Sequence, residues 1–232
     1  MKVSGFFKTT LLDYPGKLAA SIFLNGCNLR CPFCHNADLV LPKTNQSYID
    51  LNYIFEVLTK RKNVLEGVCI SGGEPTIHHD LHQLCSLIKD IGYSIKLDTN
   101  GTNPDTLRNL YHDGLIDYVA MDIKNSREKY SITSGCPNLE LNKIDSSIDW
   151  LLNSGIDYEF RTTVVKELHN IDDFYNISLW ISGAKRYFLQ NYRETDSVIQ
   201  PGFTSCTKHE LLEFVHILKP LVPHVELREV DF

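Results

Sequence analysis

The stretch Ala19-Ala20-Ser21-Ile22-Phe23-Leu24-Asn25-Gly26-Cys27-Asn28-Leu29-Arg30-Cys31-Pro32-Phe33-Cys34-His35-Asn36 runs from an apolar segment straight into a cysteine-rich loop. Ala19–Leu24 has the short continuous apolar run of a buried strand. The same arrangement, an apolar strand ending in polar residues, recurs along the chain. Gly67–Ser71 is a buried strand (Val68, Cys69, Ile70) leading into Gly72-Gly73-Glu74-Pro75. Tyr93–Thr99 runs into Asp98-Thr99-Asn100-Gly101, and Asp117–Ile123 ends in Asp122 and Lys124. Tyr158–Val165 is a fifth strand with Arg161 inside it, and Tyr187–Gln190 a sixth, ending in Gln190 and Asn191. Val225–Arg228 has the pattern of a final short strand.

Helical patterns fill the intervals. Leu51, Ile54, Phe55 and Leu58 share one face of a helix over Asp50–Arg61. Leu81, Leu84, Cys85 and Ile88 do the same, with Gly92 placed as a stop. Asn103 is a cap candidate, Pro104 suits a first helical position, and Gly114 follows the last turn. Ile144, Ile148, Leu151 and Leu152 form a face ending at Gly155, and Ile171–Ile181 is followed by Gly183. Thr207 with Glu210 has the form of a capping box for a helix through Leu218. Six β/α alternations predict an α/β fold of parallel strands with helices outside. An open doubly wound sheet collects function only beside its switch point. A barrel collects it at the C-terminal ends of all its strands. Polar motifs at nearly every strand end therefore favour an incomplete (β/α)6 TIM-like barrel with an open side. No linker-like stretch interrupts the chain, so one domain over residues 1–232 is expected.

The 232 residues carry a formal net charge of −6. This balance gives no reason to expect a nucleic-acid or membrane partner. No apolar run reaches membrane-spanning length, and a cytoplasmic protein is expected. The seven cysteines are unevenly spread, with three inside the eight residues Cys27–Cys34. That distribution suits a thiolate site in a reducing compartment better than a disulfide framework. Cys69 and Cys85 fall on apolar faces and read as core.

The loop has the spacing C-x3-C-x2-C, so Cys27, Cys31 and Cys34 can hold three corners of a cubane cluster and leave its fourth iron open. Spacing alone leaves a zinc site open as well, with His35 as a fourth ligand. With the aromatic Phe33 before the last cysteine, and with Gly72-Gly73-Glu74-Pro75 one β/α unit later, the loop resembles that of the radical S-adenosylmethionine superfamily. The resemblance implies a [4Fe–4S] cluster on the three cysteines and S-adenosylmethionine chelating the fourth iron. It further implies one-electron cleavage of that molecule to methionine and a 5′-deoxyadenosyl radical.

Asp98-Thr99-Asn100-Gly101 and Asp122-Ile123-Lys124 resemble motifs of the activating enzymes of glycyl radical enzymes, such as pyruvate formate-lyase activating enzyme. On that resemblance Phe33, Asn36, Gly72, Gly73, Glu74, Asp98, Asp122, Lys124, Arg161 and Gln190 are cofactor-binding candidates, with Glu74 facing the amino group of S-adenosylmethionine. Asp98 and Thr99 match positions that bind a monovalent cation in that relative. Gln190 stands where some relatives have a histidine. Arg161 requires a carboxylate partner, either on a ligand or elsewhere in the fold. The stretch Asp13-Tyr14-Pro15-Gly16-Lys17 with the cysteine run resembles activating proteins of anaerobic ribonucleoside-triphosphate reductase. The implied partners are that reductase, anaerobic ribonucleotide reductase, and a one-electron donor such as flavodoxin or ferredoxin. Radical transfer of this kind needs no protein general base, so no conventional catalytic residue is assigned. The rival readings are an activase of another glycyl radical enzyme, of the pyruvate formate-lyase type, and a radical enzyme acting on a small molecule, against which the short chain argues mildly; the distributed strand-end motifs argue against a bare electron-transfer module.

Overall fold

The structure is a computed structural model that describes residues 1–41 and 46–228. It is an α/β fold whose eight strands follow one another in sequence order across an open sheet. The strands are β1 (Val3–Thr10), β2 (Ala19–Leu24), β3 (Gly67–Gly72), β4 (Ser94–Thr99), β5 (Tyr118–Asp122), β6 (Asp157–Val164), β7 (Tyr187–Asn191) and β8 (Val225–Arg228). The helices are α1 (Ala37–Val40), α2 (Leu51–Lys60), α3 (Leu81–Ile91), α4 (Pro104–His112), α5 (Tyr130–Thr133), α6 (Leu141–Asn153), α7 (Ile171–Trp180) and α8 (Lys208–Leu218). No helix among the described residues is long and apolar enough to cross a membrane.

The chain divides into two compact units. One comprises residues 1–28, 38–99 and 103–120, the other residues 29–37, 100–102 and 121–232. In the first unit β2 and β4 both lie parallel to β3, with Ser21 beside Cys69 and Cys69 beside Lys96. On these strands Ile22, Leu24, Ile70, Ile95 and Leu97 are fully buried, while Phe23 is half-buried. Helix α2 begins where the Asp50 carboxylate accepts from the Asn52 amide, and it buries Ile54 and Leu58. Helix α3 buries Leu81, Leu84, Cys85 and Ile88 and stops at Gly92, whose φ of 107° is the left-handed conformation that glycine adopts freely. Burial pushes the Cys85 thiol up to about 12, in keeping with a core role.

Strand β1 lies outside the sequence expectations. It pairs antiparallel to β2 with two register irregularities, and most of its residues are partly or fully exposed. Helix α4 also departs from expectation at its start. Asn103 holds the cap position but makes no side-chain cap; its amide donates instead to Thr76 Oγ1 at 3.0 Å.

In the second unit β6, β7 and β8 are parallel, with Thr163 beside Gln190 and Gln190 beside Arg228. Helix α6 buries Ile144, Ile148 and Leu151. The capping box expected at Thr207 and Glu210 is formed at α8, and a second box, Asn170 with Asp173, starts α7.

Candidate functional site

In the first unit, Cys27 is half-buried and follows directly on the backbone that packs against the glycine motif. The Gly73 amide donates to Leu24 O at 2.9 Å and the Glu74 amide to Gly26 O at 2.8 Å. A Cβ on Gly73 would run into the Gly26 carbonyl, and one on Gly72, whose φ is 122°, would run into the Leu24 backbone. The two glycines therefore let the ends of β2 and β3 lie against each other, which fixes the chain as it enters the cysteine loop. Glu74 is fully buried. Its Oε1 accepts from the Thr76 amide at 3.0 Å, from Thr76 Oγ1 at 2.5 Å and from Thr99 Oγ1 at 2.8 Å. The glutamate thus caps the single turn Pro75–Ile77 and ties it to the end of β4.

Asp98 accepts from Ser71 Oγ at 2.9 Å through Oδ2, and the Lys96 ammonium stands 3.4 Å from its Oδ1. The Lys96 side chain is only 2% exposed, between the buried Ile95 and Leu97. It also donates to the backbone carbonyl of Asp13. Ser21 donates to the Asp13 carboxylate, and Lys17 donates to Ser94 Oγ at 3.2 Å. Tyr14 is buried with its ring 6.0 Å from that of Tyr118. The Asp13–Lys17 segment is thereby fastened to the side chains of β2 and β4. Sequence reasoning passed over Lys96, although a charge between Ile95 and Leu97 is the same signal that singled out Arg161.

The second unit holds Cys31, Phe33 and Cys34, of which Cys31 and Phe33 are buried and Cys34 is half-buried, while Asn36 is exposed. The segment after β7 runs alongside this loop. The Gln200 amide donates to Pro32 O at 2.8 Å, the Ile199 amide to Cys34 O at 3.2 Å, and Ser197 Oγ to His35 O at 2.9 Å. The Ala37 amide in turn donates to Ser197 O at 3.3 Å. His35 stacks on Tyr192 with ring centroids 5.3 Å apart, and its Nε2 lies 2.5 Å from Arg193 O. The Tyr192 ring therefore anchors the imidazole beside the last cysteine, a contact no sequence signal announced.

At the end of β5, the Asp122 carboxylate lies between two cations, one of them carried within β6. Arg161 donates to Oδ1 through Nε and approaches it again through Nη2, both at 2.9 Å, and Lys124 donates to Oδ2 at 2.9 Å. The partner required by Arg161 is thus a carboxylate of the fold. Burial on its own would raise the Asp122 carboxyl, but Arg161 and Lys124 outweigh it and hold the group well below the usual carboxylate range. Burial would likewise lower Lys124, but Asp122, with a further contribution from Cys31, raises it above the usual ammonium range. All three groups are ionised at neutral pH, and together they carry one net positive charge. Such a cluster can receive an anionic group such as a carboxylate. Behind it, His169 is nearly fully buried; its Nδ1 accepts from the Val165 amide at 3.0 Å and its Nε2 donates to Lys124 O at 2.9 Å. Burial lowers the His169 pKa, so the neutral ring is the form that holds the Lys124 backbone. Gln190 is half-buried on β7 beside Thr163.

Residues 21–180 match the Radical SAM superfamily. The chain belongs to this superfamily. As a radical SAM enzyme it uses the family's cofactors, a [4Fe–4S] cluster and S-adenosylmethionine. Membership brings an iron–sulfur cluster, which is one of the two readings that the cysteine spacing left open. The donor set fits the cluster: three soft thiolates on one loop, and none of the seven cysteines in a disulfide. A Methanocaldococcus jannaschii protein, provisionally named a glycyl-radical enzyme activating enzyme, is 31% identical over 99% of this chain and 96% of its own. Among solved structures, Streptococcus suis SuiB bound to S-adenosylmethionine aligns with a TM-score of 0.68 at 13% identity, covering 90% of this chain and 52% of that one. A domain of pyruvate-formate lyase-activating enzyme from Bacteroides vulgatus aligns with a TM-score of 0.58 at 15% identity, covering 70% of this chain and 99% of that one. These two likenesses show the fold, the open α/β sheet of the partial-barrel type.

Proposed function

We propose that this radical SAM enzyme generates a glycyl radical on a partner enzyme, and that the partner is anaerobic ribonucleoside-triphosphate reductase. The observation that carries the activase reading is the match over 99% of this chain with the M. jannaschii protein provisionally named a glycyl-radical enzyme activating enzyme. The partner reading is supported by the Asp13–Lys17 stretch, which resembles that of reductase-activating proteins and is fastened by Lys96, Ser21 and Ser94.

In this reading Cys27, Cys31 and Cys34 hold the cluster. When bound, the cluster and S-adenosylmethionine would supply the radical chemistry that takes a Cα hydrogen atom from a glycine of the partner. The chain's own residues bind, orient and exclude water. The singly positive Asp122–Lys124–Arg161 cluster receives the carboxylate of S-adenosylmethionine. Gly72 and Gly73 set the backbone that carries Cys27, and Glu74 holds the adjoining turn in shape. Phe33, Asn36, Asp98 and Gln190 complete the set of cofactor contacts. Electrons come from a one-electron donor of the flavodoxin or ferredoxin kind.

The test is anaerobic. The protein is reconstituted with iron and sulfide, reduced and given S-adenosylmethionine, and 5′-deoxyadenosine is measured. Cys31→Ala is expected to lose cluster and cleavage together; cleavage retained by Cys31→Ala would remove that ligand assignment. Adding the reductase should then produce the electron paramagnetic resonance doublet of a glycyl radical. Cleavage without any such signal on the reductase, but with one on pyruvate formate-lyase, would reassign the partner.

A further inference from the structure

The resemblance that placed a monovalent cation at Asp98 and Thr99 meets a different arrangement in this chain. We propose that the Lys96 ammonium is a built-in counter-cation for Asp98, so that S-adenosylmethionine binds without a monovalent metal ion. The proposal rests on the reading of Asp98 as part of the cofactor site.

A sodium or potassium ion at Asp98 would need the carboxylate oxygens as ligands and a negative charge left to balance. Here the Lys96 ammonium already stands 3.4 Å from Oδ1, and the Ser71 hydroxyl donates to Oδ2 at 2.9 Å. The Thr99 hydroxyl is directed to Glu74 Oε1 at 2.8 Å. A metal cation brought to Asp98 would therefore face a fixed ammonium of the same sign in a buried setting, where screening is weak. The ammonium is held in place from other sides too. It donates to the Asp13 carbonyl, and the Tyr118 ring centroid lies 6.0 Å away.

Nothing about the strand itself calls for a charge. Lys96 sits between the fully buried Ile95 and Leu97 and pairs in register with Cys69. An unbranched apolar side chain of similar length would fill the position without the cost of desolvating an ammonium. What the ammonium adds is charge balance at Asp98 and an anchor for the Asp13 backbone. Lys96 thus acts as a positioning residue through both groups.

The experiment measures the dissociation constant of S-adenosylmethionine by anaerobic equilibrium dialysis on the cluster-loaded protein, in potassium, sodium or choline chloride at equal ionic strength. The wild type is expected to show the same constant in all three salts, within about twofold. Lys96→Met is expected to bind about tenfold more weakly in choline and to recover in potassium or sodium. A wild type that binds about tenfold more tightly with a metal cation would overturn the proposal, and this arm stands whether or not the variant folds. A folded Lys96→Met protein that binds in choline as the wild type does would overturn it as well. Lys124→Met separates the two levels of the argument. Binding weakened by Lys124→Met but not by Lys96→Met removes only the role of Lys96, whereas binding untouched by both removes the cofactor-site reading.

Discussion

Two carboxylates at strand ends, Asp98 on β4 and Asp122 on β5, are each met by cations, and the numbers differ. Among the described ion pairs Asp98 meets one ammonium, Lys96, and that pair is neutral. Asp122 has an ammonium and a guanidinium, Lys124 and Arg161, and the trio keeps one positive charge. A balanced pair has no charge left with which to draw in an anion, so its work is positional. An unbalanced trio has a charge to offer a ligand. In the proposed reading the two sites have different chemical uses, and what separates them is the arginine donated from β6.

The comparison breaks most severely if Asp122 is removed. Asp122→Ala leaves two mostly buried cations facing each other and is expected to cost about 3 kcal/mol of folding stability, read from urea unfolding. A loss below about 1 kcal/mol would mean that water already satisfies both cations. Next in size are Arg161→Met and Lys124→Met, each of which leaves Asp122 with one partner and converts the trio into a neutral pair. Each should weaken S-adenosylmethionine binding about tenfold in equilibrium dialysis, with a smaller effect on unfolding. If Arg161→Met binds the cofactor normally, the extra charge is structural and the contrast with Asp98 loses its meaning. The helix caps offer a smaller reference effect remote from either carboxylate: Thr207→Ala should cost about 1 kcal/mol in unfolding and leave cofactor binding unchanged.

The smallest effect concerns pH. The trio does not titrate near neutrality: the depressed Asp122 contributes its stability above the ordinary carboxylate range and loses it only as pH falls through its lower folded value. His169 is the group behind it that does respond. Its folded pKa lies below the ordinary value of about 6.5, so its contribution is complete above that value and is lost as pH falls from there through the folded value. Melting temperature should therefore drop more between pH 8 and pH 5.5 for the wild type than for His169→Gln, whose amide can still accept from Val165 N and donate to Lys124 O. Equal drops would take His169 out of the account.

What was legible in the sequence was largely local. The Thr207–Glu210 box, the Gly92 stop and the apolar faces of α3 and α6 are decided within one or two helical turns, and they are present as read. The cysteine loop was legible because its spacing is itself the chemistry, although spacing alone did not separate zinc from iron–sulfur. Arg161 could be recognised as a charge in need of a partner, but the partner lies 39 residues away, and no periodicity encodes that distance. Lys96 and Asp13 are farther apart still, 83 residues. Asn103 shows the reverse case, a good local cap whose side chain is taken by a tertiary bond to Thr76. Strand β1 escaped because an exposed, irregular edge strand carries little of the apolar pattern that marks a buried one.

The backbone ladder between residues 32–37 and 197–200 bears on attempts to miniaturise this chemistry. A synthetic peptide copied from Cys27 to Asn36 would retain the three thiols of the loop, yet its Pro32, Cys34 and His35 carbonyls would be left to water. Such a maquette should take up iron and sulfide into a mixture of loop shapes. A transplantable version would have to carry the Tyr192–Gln200 segment along with it, as a two-piece graft.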